Sequence, residues 1–595
     1  MSSEETHEVP SGAIGLARLA VGLAQGIALY LLYISIDDKT WPSTDPYVFA
    51  PLGVALLYVP LLALQGLGNI RLRTLIPWLL IAAGVMAGLA WYDIWTRVPI
   101  FDAYNSDYAL RANITPSFAV FFFGAVWLFI AHALVAGGDA DRRIVARYTT
   151  HFDVAWKLAV QLALTFVFTV VFWSFLWLGA ALFRLIDLNF FETLLEDRWF
   201  SIPATTLAIA VAFHVTDMRA GLVRGTRTLV LVLLSWLLPM LALIVGAFLL
   251  ALPFTGLAPL WKFGHASALL LTTAAGLIIL INAAHQDGQQ LPPRVMRIAG
   301  SIASVMLAVL VGIAGYALWL RVAQYGWTAD RVATAACVLV AAFYAVGYML
   351  AALPGGVWLA RIESWNFYAA LLVLGVLLAL FTPLANPDRI AVADQVARLH
   401  AGKVSVAQFD FYYLGRAGRY GHDALVALES DKSPAIADAA KLMLTSPTPL
   451  LATTIQPDIR SRISVYPASA VLPPNFLAQL EKTDFNHAGG LPVCFYSSKG
   501  RCDAILIDVD GDGQDEILLT NSDGPEYNPS VYRQINGRWD LYGHFAVGTS
   551  CGAFYNALRG GKATLVPPPA TGRDVIVGIF RFPFVPADRE NQNCQ

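Results

Sequence analysis

Long apolar runs separated by short polar segments fill the first two thirds of this 595-residue chain. A helix needs roughly 20 apolar residues to cross the hydrocarbon core of a bilayer. On that criterion we predict spans at residues 13–36, 47–67, 74–95, 114–136, 154–183, 202–217, 228–252, 265–285, 298–322, 330–352 and 366–385. The pattern therefore predicts a polytopic α-helical membrane domain of about 11 transmembrane helices over residues 1–386.

The pattern changes after Asn386. Apolar residues keep a helical spacing over 387–446 but form no run of spanning length, which predicts a small soluble helical stalk. Residues 447–475 are rich in Pro, Ser and Thr, as is typical of a linker. Over 476–595, short alternating apolar segments between Gly, Asn and Pro predict a β domain.

Composition agrees with a membrane protein and limits its partners. The chain is 57% hydrophobic and 14% charged, with mean hydropathy +0.58, whereas soluble domains carry roughly a quarter charged residues. The formal net charge is -2 and no dense Lys/Arg cluster occurs, so we expect membrane lipid as a partner and no nucleic acid. The acidic N-terminus lacks the basic region of a secretory signal, so we expect the first apolar run to be retained as a span.

Basic residues are modestly enriched in the alternate connections that share a side with the N-terminus. Because cytoplasmic connections carry the excess of Lys and Arg, this bias predicts a cytoplasmic N-terminus. An odd number of spans then places the tail on the opposite, extracytoplasmic side. In a bacterial inner membrane, the tail would be a periplasmic β domain.

The tail contains the acidic stretch "DVDGDGQDE", between the strand-like segments "AILID" and "EILLT". Alternating oxygen ligands on a glycine-rich loop suit Ca²⁺, so we predict a structural Ca²⁺ site. Its predicted ligands are Asp508, Asp510, Asp512, the backbone carbonyl of Gln514, and Glu516. Leu519 stands where an EF-hand needs its last Glu, so the loop instead resembles the shorter calcium loop of FG-GAP and VCBS-type β repeats. The alternative is a solvated acidic turn.

Four of the five cysteines fall in the tail, namely Cys494, Cys502, Cys551 and Cys594. We predict two disulfides and hence an oxidising compartment. Three connectivities are possible; we prefer Cys494 with Cys502 and Cys551 with Cys594. Zinc is the rival interpretation, but no C-x-x-C spacing occurs.

Several ionisable residues lie within or beside the predicted spans. We take Lys157, Arg184, His214 and Asp217 as a possible intramembrane polar site, because ionisable groups at membrane depth are often functional. The structural alternative is favoured, since most of these residues lie near predicted helix ends. Asp153 and Lys157 are four residues apart on one face of a predicted helix, a spacing that allows an ion pair.

Catalytic and nucleotide-binding motifs are missing from the sequence. The chain has no P-loop, H-E-x-x-H, G-x-S-x-G or dinucleotide-binding fingerprint. Asp37 and Asp38, just after the first span, leave one enzyme hypothesis, a membrane glycosyltransferase with a lipid-linked donor. Their loop is too short for the large first loop of those enzymes.

Two stretches resemble a bacterial inner-membrane family known as domain-of-unknown-function family 4153. One is "FDVAWKLAVQLALTFVFTVVFWSFLWLGAALFRLIDLNFFETL" with the following "IPATTLAIAVAFHVTD", and the other is "FDFYYLGRAGRYGHDALVAL". The resemblance implies an inner-membrane location and this architecture, and it transfers no catalytic residue.

Three functions follow as hypotheses. The first is a non-enzymatic inner-membrane protein whose Ca²⁺-stabilised, disulfide-bonded β domain binds an envelope partner or senses a signal. The second is a transporter or channel with a path among the helices. The third is the glycosyltransferase.

Overall fold

The structure is a computed structural model that describes residues 12–101, 114–256, 266–353, 358–445, 459–467, 469–481, 501–522, 530–535, 537–544, 558–560, 575–577 and 580–582. The chain divides into two compact units, Met1–Leu444 and Thr445–Gln595. The first unit is helical and the second contains the β-strands.

Eleven helices in the described part of the chain are long and apolar enough to cross a membrane. They are α1 (Gly12–Asp37), α2 (Pro46–Gly66), α3 (Leu72–Phe101), α4 (Phe118–Asp141), α5 (Tyr148–Arg184), α7 (Arg198–Met218), α8 (Ala220–Thr255), α9 (Ala266–His285), α10 (Arg294–Tyr325), α11 (Ala329–Ala352) and α12 (Ile362–Leu380). A short helix, α6 (Phe190–Glu196), lies between α5 and α7. Each long helix overlaps one predicted span, so the prediction of a multi-pass helical membrane protein is confirmed.

Two helices begin at positions that differ from the predicted ones, and a polar cap decides one of these starts. The fourth span begins at Phe118 rather than at residue 114, because the Ser117 hydroxyl accepts a hydrogen bond from the Val120 amide and caps the helix. The fifth begins at Tyr148, six residues early. An apolar run predicts only the part of a helix that lies in lipid, and the helix can continue into the polar residues on either side.

Two apolar cores organise the helical unit. One lies among α8 to α12 and includes Leu277, Ile281 and Leu307. The other joins α2, α3 and α4 around Val54 and Met86, and the second half of α12 packs against it. Many large apolar side chains face outward from the helices, as expected of surfaces that contact lipid.

Glycines bring α1 unusually close to α7. A Cβ at Gly22 would lie 2.6 Å from the Cβ of Ala210 and 2.9 Å from the carbonyl oxygen of Thr206. Side chains do not tolerate such distances, so the two backbones approach at this point only because Gly22 has no side chain.

The helices of the stalk are α13 (Pro387–His400), α14 (Phe411–Arg416), α15 (Gly418–Glu429) and α16 (Pro434–Thr445). They enclose a small core that includes Leu414 and Leu425. The stalk also packs against α3: the hydroxyls of Tyr92 and Tyr420 lie 2.8 Å apart, and Arg419 Nε donates to the Trp95 carbonyl at 2.9 Å. Stalk and membrane helices therefore belong to the same compact unit.

The second unit holds a five-stranded sheet in the order β1 (Ile463–Tyr466), β2 (Cys502–Ile507), β3 (Glu516–Asn521), β4 (Ser530–Ile535), β5 (Arg538–His544). Strand β1 is parallel to β2, and the other neighbours are antiparallel. A separate hairpin pairs β6 (Val575–Val577) with β7 (Phe580–Phe582). The sheet begins inside the segment predicted as a linker, because the β-branched run "ISVY" pairs there despite its Pro-rich flanks.

Both faces of the central strands carry a core. Ala504 and Leu519 point to one face, where Phe476 of α17 (Pro474–Glu481) covers them. Ile505 and Leu518 point to the other face and contact Leu558. Because successive side chains alternate between faces, β2 and β3 are packed on both faces, and the acidic loop joins these two strands.

Candidate functional site

The acidic loop connects two paired strands, since Ile507 of β2 lies opposite Glu516 of β3. Ligand atoms of Asp508, Asp510 and Glu516 all lie within 4.8 Å of one another. Gly511 and Gly513 adopt φ values of +78° and +83°, which glycine adopts without strain. These two glycines let eight residues coil tightly enough to bring the three carboxylates together.

The carboxylates also organise the loop backbone. Asp508 accepts hydrogen bonds from the amides of Gly511 at 2.7 Å and Gly513 at 3.0 Å. Glu516 accepts one from the Val509 amide at 2.7 Å. The loop is therefore shaped by the same oxygens that would hold a cation.

Arg533 of β4 reaches the loop from the neighbouring strand. Its guanidinium lies 2.8 Å from an oxygen of Asp510 and 3.0 Å from one of Asp512. Glu516 is only 2% exposed. Burial raises the pKa of the Glu516 carboxyl, and the nearby Asp510 and Asp512 raise that pKa further. A cation bound here would offset both the burial and the repulsion, which is the chemistry that Ca²⁺ supplies in oxygen-rich loops.

Not every predicted ligand lies in the converging group. Asp512 turns to Arg533 and accepts from the Gln514 amide at 2.8 Å. The converging set is thus Asp508, Asp510 and Glu516, with Asp512 beside it. The carbonyl role of Gln514 stays a prediction.

Of the four tail cysteines, Cys502 is the first residue of β2 and is fully buried. Cys494, Cys551 and Cys594 lie outside the described residues. The disulfide pairing stays a prediction.

A second cluster lies where α1, α5 and α7 meet the connection between α2 and α3. Asp217 Oδ2 accepts from Arg18 Nη2 at 2.7 Å, and its other oxygen lies 2.9 Å from Lys157 Nζ. Asn69 Nδ2 donates to the Asp217 carboxylate at 3.1 Å, and Gln161 does so at 3.3 Å. We call these five residues the polar cluster.

The polar cluster is shielded from solvent at its centre. Arg18 is 1% exposed and the Asp217 side chain 5%, while Lys157 is 39% exposed. Arg18 Nη2 also donates to the Leu67 carbonyl at 2.6 Å. One carboxylate therefore holds two cations and joins four segments of the helical unit.

The other predicted intramembrane residues are distributed differently. His214 lies one turn before Asp217, with its ring against Gly15 of α1. Arg184 pairs with Glu192 at 3.0 Å; it is separated from Lys157 by 27 residues of α5, about 40 Å at 1.5 Å per residue. The structure thus brings together Lys157 and Asp217 and places His214 one turn along α7 from Asp217, while Arg184 lies at the far end of α5.

The structure also places Asp153, Asp37 and Asp38. Asp153 pairs with Arg227 of α8 rather than with Lys157, because Lys157 finds the more buried carboxylate of Asp217. Asp37 and Asp38 are both exposed at the end of α1.

Arg18, Asn69 and Arg533 are the important residues that the predicted site residues do not include. The sequence signal for Arg18 was a basic residue inside the first apolar run. Asn69 lies in a connection and Arg533 on another strand, so no sequence spacing links either residue to its partners.

Comparison with known protein families places the helical unit. The family model of the domain of unknown function DUF4153 matches residues 27–430, a stretch that runs from the first span through α15 of the stalk. No curated protein matches the chain, and no solved structure does. Because the match covers well over half of its length, the chain belongs to the DUF4153 family.

Proposed function

We propose that this protein is a non-enzymatic bacterial inner-membrane protein whose C-terminal β domain binds an envelope protein partner, with Ca²⁺ and disulfides stabilising that domain. The observation that carries the proposal is the convergence of Asp508, Asp510 and Glu516 within 4.8 Å between two paired strands. A cation there would fix the β2–β3 hairpin and hold the neighbouring strands in a rigid arrangement.

The calcium part is tested on the full chain in detergent by following hydrogen exchange over residues 506–520 with calcium and with chelator. Binding at a hundredfold excess over Kd stabilises a folded state by about 2.7 kcal/mol, so exchange slows strongly in calcium. Asp510→Asn removes that response. Asp515→Asn is the matched control, because Asp515 is exposed and outside the converging group. Equal exchange with calcium and chelator in the wild-type chain contradicts the site.

The partner-binding part rests on exposed apolar side chains of β4 and β5. Ile535 is 49% exposed, Leu541 37% and Tyr542 48%. Strand β5 ends the described five-stranded sheet, and exposed apolar groups on such a strand favour contact with another protein.

A photo-crosslinker at Leu541 in living cells tests this surface. The expected result is one discrete crosslinked envelope protein, lost when Asp510→Asn is introduced into the same chain. A crosslinker at Asp515 is the control for proximity. Lipid adducts alone, or adducts unaffected by Asp510→Asn, contradict the proposal.

The proposed orientation puts the N-terminus in the cytoplasm and the tail in the periplasm. The basic residues of alternate connections support it. An alkaline phosphatase fused after Gln595 is expected to be active and a fluorescent protein that folds only in the cytosol to be dark; the reverse pattern overturns the orientation.

Transport is the second candidate function, favoured by the polar cluster with Arg18 and Asp217 buried among spanning helices. Its test is substrate uptake or conductance in Asp217→Asn and His214→Ala chains that retain their fold. The glycosyltransferase hypothesis predicts altered envelope glycans when Asp37 and Asp38 are replaced.

A further inference from the structure

A cavity of about 550 Å³ lies between α4, α5, α9, α11 and α12. This volume is within the range of sites for drug-sized ligands. Tyr148 begins α5, Asn282 lies three residues before the end of α9, and Glu363 is the second residue of α12. The cavity therefore lies near one end of the membrane helices, remote in sequence from the acidic loop and formed by other residues than the polar cluster.

Aromatic side chains form a large part of the wall. Seven Phe, Tyr and Trp rings line it, together with the imidazole of His151: Phe129, Tyr148, Phe152, Trp156, Tyr344, Phe367 and Tyr368. Tyr368 is 58% exposed, so the cavity reaches the surface of the helical unit. The faces of aromatic rings carry negative electrostatic potential and attract organic cations.

One carboxylate accompanies these rings. Among the described residues no Lys or Arg forms an ion pair with Glu363, and His285 Nε2 lies 3.9 Å from its carboxylate. That distance is too long for a hydrogen bond. His285 is 3% exposed and its Nε2 has no hydrogen-bond partner among the described residues. The cavity thus contains a negative charge that the described protein does not neutralise.

The side-chain amides near the Glu363 carboxylate already form hydrogen bonds within the protein. Asn366 Nδ2 donates to Asn282 Oδ1 at 2.6 Å, and Tyr348 Oη donates to Asn366 Oδ1 at 2.7 Å. Arg227 lies 5.9 Å from the Phe152 ring but is paired with Asp153. The groups available to a ligand are therefore the ring faces, the Glu363 carboxylate and the imidazole of His151, whose two nitrogens have no hydrogen-bond partner among the described residues.

We propose that this cavity binds an apolar organic cation, with the aromatic rings surrounding the charged centre and Glu363 as its counter-ion. The proposal extends beyond the function of the β domain, because it concerns a small-molecule site in the helical unit. It holds or fails independently of calcium binding by the tail.

The test uses the purified full chain in detergent and radiolabelled tetraphenylphosphonium, with tetraphenylborate as a probe of the same shape and opposite charge. The two probes are measured in separate incubations, and the expected result is saturable binding of one tetraphenylphosphonium per chain and no saturable binding of radiolabelled tetraphenylborate. Glu363→Gln weakens binding at least tenfold, and Phe367→Leu weakens it less. Glu192→Gln, which neutralises an exposed carboxylate outside the cavity, leaves binding unchanged.

Two sources of such a cation are separated by competition. Displacement by phosphatidylethanolamine but not by phosphatidylglycerol assigns the ammonium group to a lipid headgroup, and no displacement by either assigns a free organic cation. The proposal is overturned if tetraphenylphosphonium binding is not saturable, if tetraphenylborate alone binds equally well, or if folded Glu363→Gln binds as the wild-type chain does. The tetraphenylborate comparison needs no variant, so it decides even if Glu363→Gln fails to fold.

Discussion

The polar cluster and the acidic loop have opposite imbalances of charge. In the polar cluster one carboxylate, Asp217, faces two cations, and its centre is buried among spanning helices. In the acidic loop five acidic residues between Asp508 and Glu516 face one arginine, Arg533, and most of them are exposed. Burial makes charges depend on protein partners, whereas an exposed loop can take its counter-ion from solution. The first arrangement favours a role in stabilising the fold, and the second favours ion binding.

The largest loss of stability is expected from removing the carboxylate of the polar cluster. Asp217→Asn leaves Arg18 and Lys157 without their carboxylate, and removing one partner of a buried pair typically costs about 3–5 kcal/mol. The free energy of unfolding in detergent should fall accordingly. Glu192→Gln breaks the exposed pair with Arg184 and should cost no more than about 1 kcal/mol. Equal losses in the two variants would remove the distinction between buried and exposed charges in this chain.

A smaller effect is expected from separating the helices that shield the polar cluster. Gly22→Ala forces a Cβ against Ala210 and Thr206, and overpacking of this kind costs about 1–3 kcal/mol. Gly53→Ala on α2 is the matched control, because a Cβ there has no neighbour within 4 Å and alanine favours helix. Thermal unfolding in detergent measures both, and a Gly22→Ala chain as stable as Gly53→Ala would contradict the close approach.

The smallest effect concerns Arg533, which tests how far the acidic loop depends on an external ion. In chelator, Arg533→Gln should destabilise the tail only slightly, because water screens ion pairs near the surface. In calcium the loss should shrink, because the ion replaces the lost positive charge. Arg538→Gln breaks the exposed pair with Asp540 and should cost the same in both conditions. Unfolding of the tail followed by hydrogen exchange measures the difference, and a calcium-independent loss for Arg533→Gln would count against the ion.

Local chemistry explains which parts of this protein the sequence could predict. All eleven spans were predicted because each helix that contacts lipid must be apolar over its own length. The acidic loop was recognisable because its ligands lie within nine residues, although its arginine on β4 was not. The first strand was missed as a strand because "ISVY" is short and becomes one only by pairing with β2.

The sequence by itself determined that the chain is a multi-pass helical membrane protein with an acidic, cysteine-bearing tail, since hydrophobic length and local ligand spacing are properties of consecutive residues. Only the tertiary structure decided that Asp217 joins Arg18, 199 positions away, and that aromatic rings from four helices line the cavity that contains Glu363. Such contacts depend on how helices pack against one another. That packing follows from shape and close approach summed over many residues, which no single stretch of sequence records.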